Sequence, residues 1–550
     1  MVWACDCFRS LIYYNHPNKK RGLLMKKVIV FLLAFLLCLS FAACGESREE
    51  VGSAGLQYER NGEGTYTVVG IGTCTDAQVV IPRYHNGKKV TVIGERAFAD
   101  CHTMEEITIP DTIKDIGKQI FYNCSALHTV YYNSHYSPQH AYTVNNIFCH
   151  NTFIAESNVK KIVFSGSFIP SSICYDASNL TEVVILDSVT KIGYEAFSGC
   201  SSLVSITIPD SVTSIGGSAF ENCTSLQSVE LPDGVTGIGG LAFRNCSSLE
   251  SVAIPNSLIA IGDSAFSGCS SLASVVFFDS AADIATGFDH DAFKHDDGKS
   301  NTPPIPFKIG YCAFADCSSL TSIEIPNTIT TIGVSAFEGC SGLTSVKIPD
   351  SVTHIDDAAF RGCSSLASIE IPDSVIALDD AAFYDCISLR SIVIPDSVIS
   401  FGQSRFSALE GVFTNCSSLA CVTMGNGVTR ISDYAFSGCI NLTTIVIPDS
   451  ITEISHHAFK GCSSLTGIHI PDSVTSLGNQ AFSGCSSLER IEIADSITNI
   501  GKFAFWHCSS LVEIHFGGTK GQWIAIFKDY YWDANTDKYI IYCTDGEIKK

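Results

Sequence analysis

The stretch IPDSVTSIGGSAFENCTSL runs from Ile208 to Leu226, and the chain repeats it with small changes almost to its end. Fifteen cysteines from Cys101 to Cys508 mark the period, and most gaps between them are 23 residues. A phenylalanine precedes each of these cysteines by three positions, from Phe98 to Phe505. The unit reads I-x-I-P-D-S-V-T-x-I-G-x-x-A-F-x-G-C-S-S-L-x-S. A fixed period of this length is the mark of a solenoid, in which no unit buries its apolar face without its neighbours.

Each letter has a physical role. Ile206, Thr207 and Ile208 alternate, so they predict a short strand with both isoleucines inward. Pro209 ends the strand because it has no N–H for a ladder bond, and Asp210 and Ser211 suit the turn that follows. Val212 and Ile215 return to the core. Gly216 is read as a turn position that other residues resist. Ala219, Phe220, Cys223 and Leu226 fill the volume up to the next strand. Each large side chain buried this way contributes about 1.5–3 kcal/mol. The expected fold is a repeat solenoid, a right-handed superhelix with a continuous parallel β-sheet, capped at both ends.

The period slips in three places. The step from Cys386 to Cys416 is 30 residues, which places an insertion near 404–412. The steps from Cys124 to Cys200 and from Cys269 to Cys317 are longer and hold degenerate units, with insertions expected near 133–180 and 279–311.

Bulk composition narrows the partners. The chain has 550 residues, 16% of them charged, and a formal net charge of −22. Such acidity argues against nucleic acid and anionic headgroups and reads as solubility of an exposed protein.

Residues from Met25 look like a secretory signal. Lys26 and Lys27 precede an apolar run from Val28 to Phe41, and Ala42 and Ala43 lead to Cys44. The run Ala42-Ala43-Cys44-Gly45 resembles the lipobox of bacterial lipoproteins, which implies lipid on Cys44; Phe41 departs from the leucine preferred there. Residues 1–24 are read as an over-extended start, 25–43 as the signal and 44–55 as a polar tether. Residues 56–100 hold the N-terminal cap and first repeat, 101–516 the array and 517–550 the C-terminal cap. In that last cap Trp523, Trp532 and Tyr539 are expected to cover the open coil.

The spacing from Leu226 through Val229, Leu231 and Pro232 to Val235 matches L-x-x-L-x-L-x-x-x-L. The array resembles the BspA-like leucine-rich repeats of bacterial surface proteins, over about residues 75 to 516. That resemblance implies a non-catalytic protein on the extracellular face of the cell envelope. It also implies adhesion to host or bacterial surface proteins, with the membrane reached through the N-terminal lipid only.

Three readings of the cysteine ladder compete. Zinc needs thiolates converging within ~2.3 Å of one metal, whereas stacked equivalents form a line. Disulfides between adjacent coils fit a strand spacing of ~4.8 Å but have no pairing rule along an unbroken row. Buried free thiols are the favoured reading, since cysteine is a small residue often found inside.

No catalytic motif stands out, and no cofactor or metal site is implied. His456 and His457 read as solvated. Asp289, Asp291, Asp296 and Asp297 lie in the longest break and offer oxygens that suit calcium, weighed against a solvated loop. Tyr131, Tyr132, Tyr136 and Tyr142 form an aromatic patch, weighed against a structural role. The candidate binding face is the outward position of the I-x-I strand. It carries Thr207, Glu230, Ala253, Glu324, Lys347, Glu370, Val393, Thr423, Val446, His469, Glu492 and His515. A protein ligand or a glycan ligand fits such a face; an envelope module that captures glycans or senses is the second functional reading.

Overall fold

The computed structural model describes residues 52–133, 154, 157–255, 257–258, 260–277, 308–402, 410–536 and 538–550. The signal, Cys44, Tyr136, Tyr142 and the four aspartates from Asp289 to Asp297 lie outside these residues. Gly52–Lys550 forms one compact unit.

Regular coils contribute two strands each, except the coil at 366–372, which has no first-ladder strand. Ser205–Thr207 pairs in parallel with Ser228–Glu230, Ile206 opposite Val229, and the latter pairs with Ser251–Ile254. The middle residue of each is buried and its flanks are exposed. A second parallel ladder runs through the two-residue strands Lys191–Ile192, Ser214–Ile215 and Gly237–Ile238. Val212 and Ile215 return to the core as the sequence implies, and the return is regular enough to form a sheet of its own. The protein is therefore a solenoid of stacked parallel strands. The first ladder falls into runs of five, six, three and five strands, and the second into a main run of ten followed by five.

The core is a column of identical contacts. From Phe197 to Phe505, consecutive phenylalanine rings lie 5.2–5.7 Å apart at interplanar angles of 3–13°. Neighbouring rings share the same backbone frame one coil apart, so they stack offset and parallel.

Polar letters form ladders too. Ser211 Oγ donates to the Val189 carbonyl at 2.6 Å, and Ser257, Ser351 and Ser374 do the same one coil back at 2.6–2.7 Å. Thr213 Oγ1 donates to the Thr190 carbonyl at 3.3 Å. The serine of I-P-D-S thus does more than favour a turn. It satisfies a carbonyl that stacking would otherwise leave without a partner.

Gly216 is glycine for a different reason from the one its sequence implies. A Cβ there would lie 2.7 Å from the backbone of Gly193 and Tyr194, and its φ is not positive. Close coil-on-coil approach, rather than a left-handed turn, excludes a side chain. The left-handed positions are elsewhere. Asn222 (φ 59°) and Ser218 (φ 51°) show the pattern of two per coil. The first column is filled mostly by Asn, Asp or Gly, which tolerate this conformation. The second accepts Leu241, Cys312, Tyr434 and Phe503 as well. There the strain, roughly 1–2 kcal/mol, is held by coil-to-coil bonds such as Ser218 N–H to the Gly240 carbonyl at 2.9 Å.

The insertion expected near 133–180 is shorter than the sequence implies, because a complete coil occupies its second half. Lys161–Phe164 and Phe168–Ile169 are its two strands. Cys174 stands in the phenylalanine column and Ala177 in the cysteine column. Phe164, opposite Ile185 in the strand register, supplies the missing ring. It packs edge-on to Phe197 at 5.8 Å, close to the spacing of the regular stack. Volume has moved from one letter of the repeat to another, which hides the coil from a search for F-x-x-C. The coil also resumes by Lys308 in one break and by Gly411 in the other, within the expected insertions.

Both ends are closed over the first ladder. At the front, residues 52–55, expected in the tether, dock on the cap: Ser53 N–H donates to the Val80 carbonyl at 2.9 Å. At the back, Trp523 and Tyr539 are buried, and Trp532 packs edge-on to Phe505 at 6.0 Å. The helix Lys520–Ala525 starts on a Thr519 capping box, and an antiparallel hairpin, Ile540–Cys543 with Gly546–Lys549, ends the sheet.

Candidate binding face

The cysteine column is a hydrogen-bond ladder. Cys223 Sγ donates to the Phe197 carbonyl at 3.1 Å, Cys246 to Phe220 at 3.2 Å and Cys508 to Phe482 at 3.1 Å. The same bond recurs from Cys124 onward wherever the column holds a cysteine. In the hidden coil the acceptor is the Cys174 carbonyl, which takes the Cys200 thiol at 3.2 Å. The Phe197 carbonyl also accepts the Cys200 N–H at 3.1 Å, so both lone pairs are occupied. The described cysteines are free. Burial pushes the Cys223 and Cys269 thiols up to about 12 and Cys174 and Cys200 well above the ordinary range. A thiol so raised stays protonated, and only the protonated form can donate. In this column each thiol serves as a buried hydrogen-bond donor. Among the described residues no group of three or more His, Cys, Asp or Glu is arranged to hold a metal ion.

The outward row of the first ladder is a single file of side chains, one per coil. Thr207, Glu230, Glu324, Lys347, Glu370, Thr423 and His469 are exposed, and Ala253, Glu492 and His515 are half-buried. Val393 and Val446 are 60% and 78% exposed, high for β-branched apolar residues. Charges in this file pair between or within coils. Lys347 Nζ meets Glu324 Oε1, His469 Nδ1 lies 3.0 Å from Glu492 Oε2, and His515 Nε2 lies 2.7 Å from Glu513 Oε2. Val393, Thr423 and Val446 form an uncharged window between the charged stretches. Cys421, the one cysteine classed as exposed among the described residues, lies beside it in the strand Cys421–Met424.

Of the four tyrosines from Tyr131 to Tyr142, Tyr131 and Tyr132 are described, and Tyr136 and Tyr142 lie outside the described residues. Tyr132 is a core residue, edge-on to Phe164 at 5.9 Å, and Tyr131 is half-buried.

A second variable column was not singled out from the sequence. It is the pair before A-F, where the left-handed residue sits. In the last coils it reads Asp433-Tyr434, His456-His457, Asn479-Gln480, Lys502-Phe503 and Tyr530-Tyr531. Tyr434 stacks on His457 at 4.4 Å, and Phe503 stacks on Tyr531 at 5.8 Å. His456 is exposed as expected. His457 is not simply solvated: burial first, then the neighbouring Lys460 and His456, pushes it down to about 4. The signal was in the sequence, because this pair is among the least regular in a regular unit.

Carboxylates gather nearby in two earlier coils. Asp357 and Asp380 stand in the column of Asp433 and His456, and Asp356 and Asp379 in the column where most coils have glycine, such as Gly216. Burial and then Asp357, with their neighbours, raise Asp379 to about 6 and Asp380 to about 7. Lys308 Nζ neutralises Asp356 at 2.9 Å, and Arg430 opposes the shift of Asp380.

A family profile described as "BspA type Leucine rich repeat region (6 copies)" matches residues 78–169, 167–298, 286–412 and 409–523. The chain belongs to the BspA-type leucine-rich repeat family. No curated protein matches it. Among solved structures it is similar to a leucine-rich repeat protein from Bacteroides ovatus, at 24% identity and a TM-score of 0.52. That alignment covers 89% of this chain and 99% of the other, and it is a likeness of fold. A leucine rich cell surface protein from Faecalibacterium prausnitzii aligns at 26% identity over 88% and 99% of the two chains, with a TM-score of 0.30. Repeat proteins of this family are in general binding scaffolds without catalytic groups, and proteins are their usual ligands.

Proposed function

We propose that this chain is a non-catalytic surface binding protein, held at the outer face of a bacterial envelope through lipid on Cys44 and adhering to host or bacterial surface proteins. The observation that carries the reading is the division of labour within the repeat. Inward letters are fixed by stacking, while the outward file from Thr207 to His515 changes from coil to coil. A rigid row of varied side chains at ~4.8 Å spacing is a recognition surface without a pocket. The uncharged window at Val393, Thr423 and Val446 is the part best suited to a dry protein contact.

The second reading is glycan capture. Tyr434 and His457 stack on one another and Phe503 is covered by Tyr531, so one face of each of these half-buried rings is already occupied. Sugars use open ring faces, and this arrangement favours a protein ligand.

The test is binding of residues 52–550 to arrays of matrix proteins, bacterial surface proteins and glycans, with Val393→Glu and Val446→Glu in parallel. Capture of a protein, weakened at least tenfold by the paired substitutions, is expected. Binding to glycans alone would replace this reading with the second.

A further inference from the structure

The last coil carries an open strand edge in the second ladder. The sheet edges at the two caps are polar: Gln57–Arg60 reads QYER and Gly546–Lys549 reads GEIK. The second ladder instead ends on the strand Phe527–Lys528, paired with Asn499–Ile500 on one side. Among the described residues no strand pairs with its outer side. A lysine on an edge strand normally projects outward and discourages pairing. Here Lys528 is turned inward, its Nζ 2.5 Å from the Trp523 carbonyl and 3.2 Å from the Ile526 carbonyl.

The same coil carries four exposed apolar side chains, of which Tyr530 and Tyr531 also pack on Lys502 and Phe503 of the coil before. Ile524 is 74% exposed, Phe527 65%, Tyr530 59% and Tyr531 63%. All four belong to one coil. Formal charge cancels in this cap, as it does over residues 56–100 at the other end. Residues 519–550 carry five lysines and five acidic residues, in a chain whose net charge is −22.

We propose that two copies of this chain meet end to end through the last coil, with the Phe527–Lys528 strands side by side and Ile524, Phe527, Tyr530 and Tyr531 packed between them. Three observations select a second copy over another occupant. The free strand edge continues the contact by which each coil already holds its neighbour. A two-fold arrangement brings the same apolar patch onto itself, as an isologous dimer requires. And two strongly acidic shafts repel side by side, whereas their neutral tips approach without that cost. The chain enters the stack at its first coil, near Leu56, and the patch is on the last. If the chain is anchored by its N-terminus, which rests on the reading above, tip-to-tip pairing joins molecules on facing cells.

Sedimentation velocity on residues 52–550 over a micromolar concentration series tests the contact. A monomer–dimer equilibrium is expected, abolished by Phe527→Glu with Tyr531→Glu and unchanged by Val393→Glu on the sheet face. The substituted residues are exposed, and an unaltered thermal melt confirms that the variants fold. A monomer at every concentration, or a dimer indifferent to the tip substitutions, would overturn the proposal. Beads coupled through the N-terminus then test the cellular part. Clumping lost with the tip variant supports it; a solution dimer without clumping overturns pairing between cells. Failure on the protein arrays would remove the adhesion reading and leave the dimer result standing.

Discussion

Cys223 donates its thiol proton to the carbonyl of Phe197, one coil earlier, at 3.1 Å. Phe220 stacks on Phe197 at 5.3 Å in the same layer. These two contacts explain why F-x-x-C recurs: one letter supplies the ring and the acceptor, the other the donor. Cys223→Ala removes the donor and leaves a small void. A loss of about 1–3 kcal/mol is expected, read by chemical denaturation of residues 52–550. An unchanged midpoint would mean the thiol bond contributes nothing.

Phe164 and Cys174 form a compensating pair. Cys174→Phe restores the repeat letter but drives a second ring into space that Phe164 already occupies beside Phe197. Phe164→Ile restores the other letter and opens a cavity. Each alone is expected to destabilise by roughly 1–4 kcal/mol, and the double substitution to recover most of the loss. Additive losses in a double-mutant cycle would show that the two sites do not share volume.

Stability near the acid columns depends on pH with a definite sign. Asp379 and Asp380 are raised from an ordinary 3.8 to about 6 and about 7, by burial first and then by neighbouring carboxylates. Between these values the folded state holds protons that the unfolded chain releases, so stability falls as pH rises from about 4 to about 7 and levels off above. Asp379→Asn with Asp380→Asn removes this slope. Thermal melts at about pH 4 and about pH 8 are expected to show a gain for the variant at the higher pH and little at the lower. An equal shift at both would assign the effect to packing.

Much of the fold was legible because one physical rule repeats. The inward positions Ile206, Ile215, Phe220 and Leu226 follow from alternation and period alone, and all are buried. The second ladder was not legible, since two residues such as Ser214–Ile215 are too short to show a strand period. The coil at 158–180 was hidden because Cys174 and Phe164 exchanged volume between letters. Gly216 was read correctly as obligatory but for the wrong reason, because close backbone approach leaves no trace in one chain's sequence. Of the binding surface, the outward file could be placed by counting. The exposed tip around Phe527 and Tyr531 could not, because aromatic residues near a chain end read as cap filling until burial separates Trp523 from Tyr531.

Mass-mapped alkylation of the native protein asks most directly whether F-x-x-C is structure or site. Cys421 is exposed and is expected to react first, with Cys312 and Cys543 slower. The fifteen cysteines from Cys101 to Cys508 in the repeat column are expected to stay unmodified until denaturant is added, because all are buried. Rapid labelling of column cysteines in the folded chain, or peptides joined by disulfides between adjacent coils, would contradict a ladder of buried, protonated thiols.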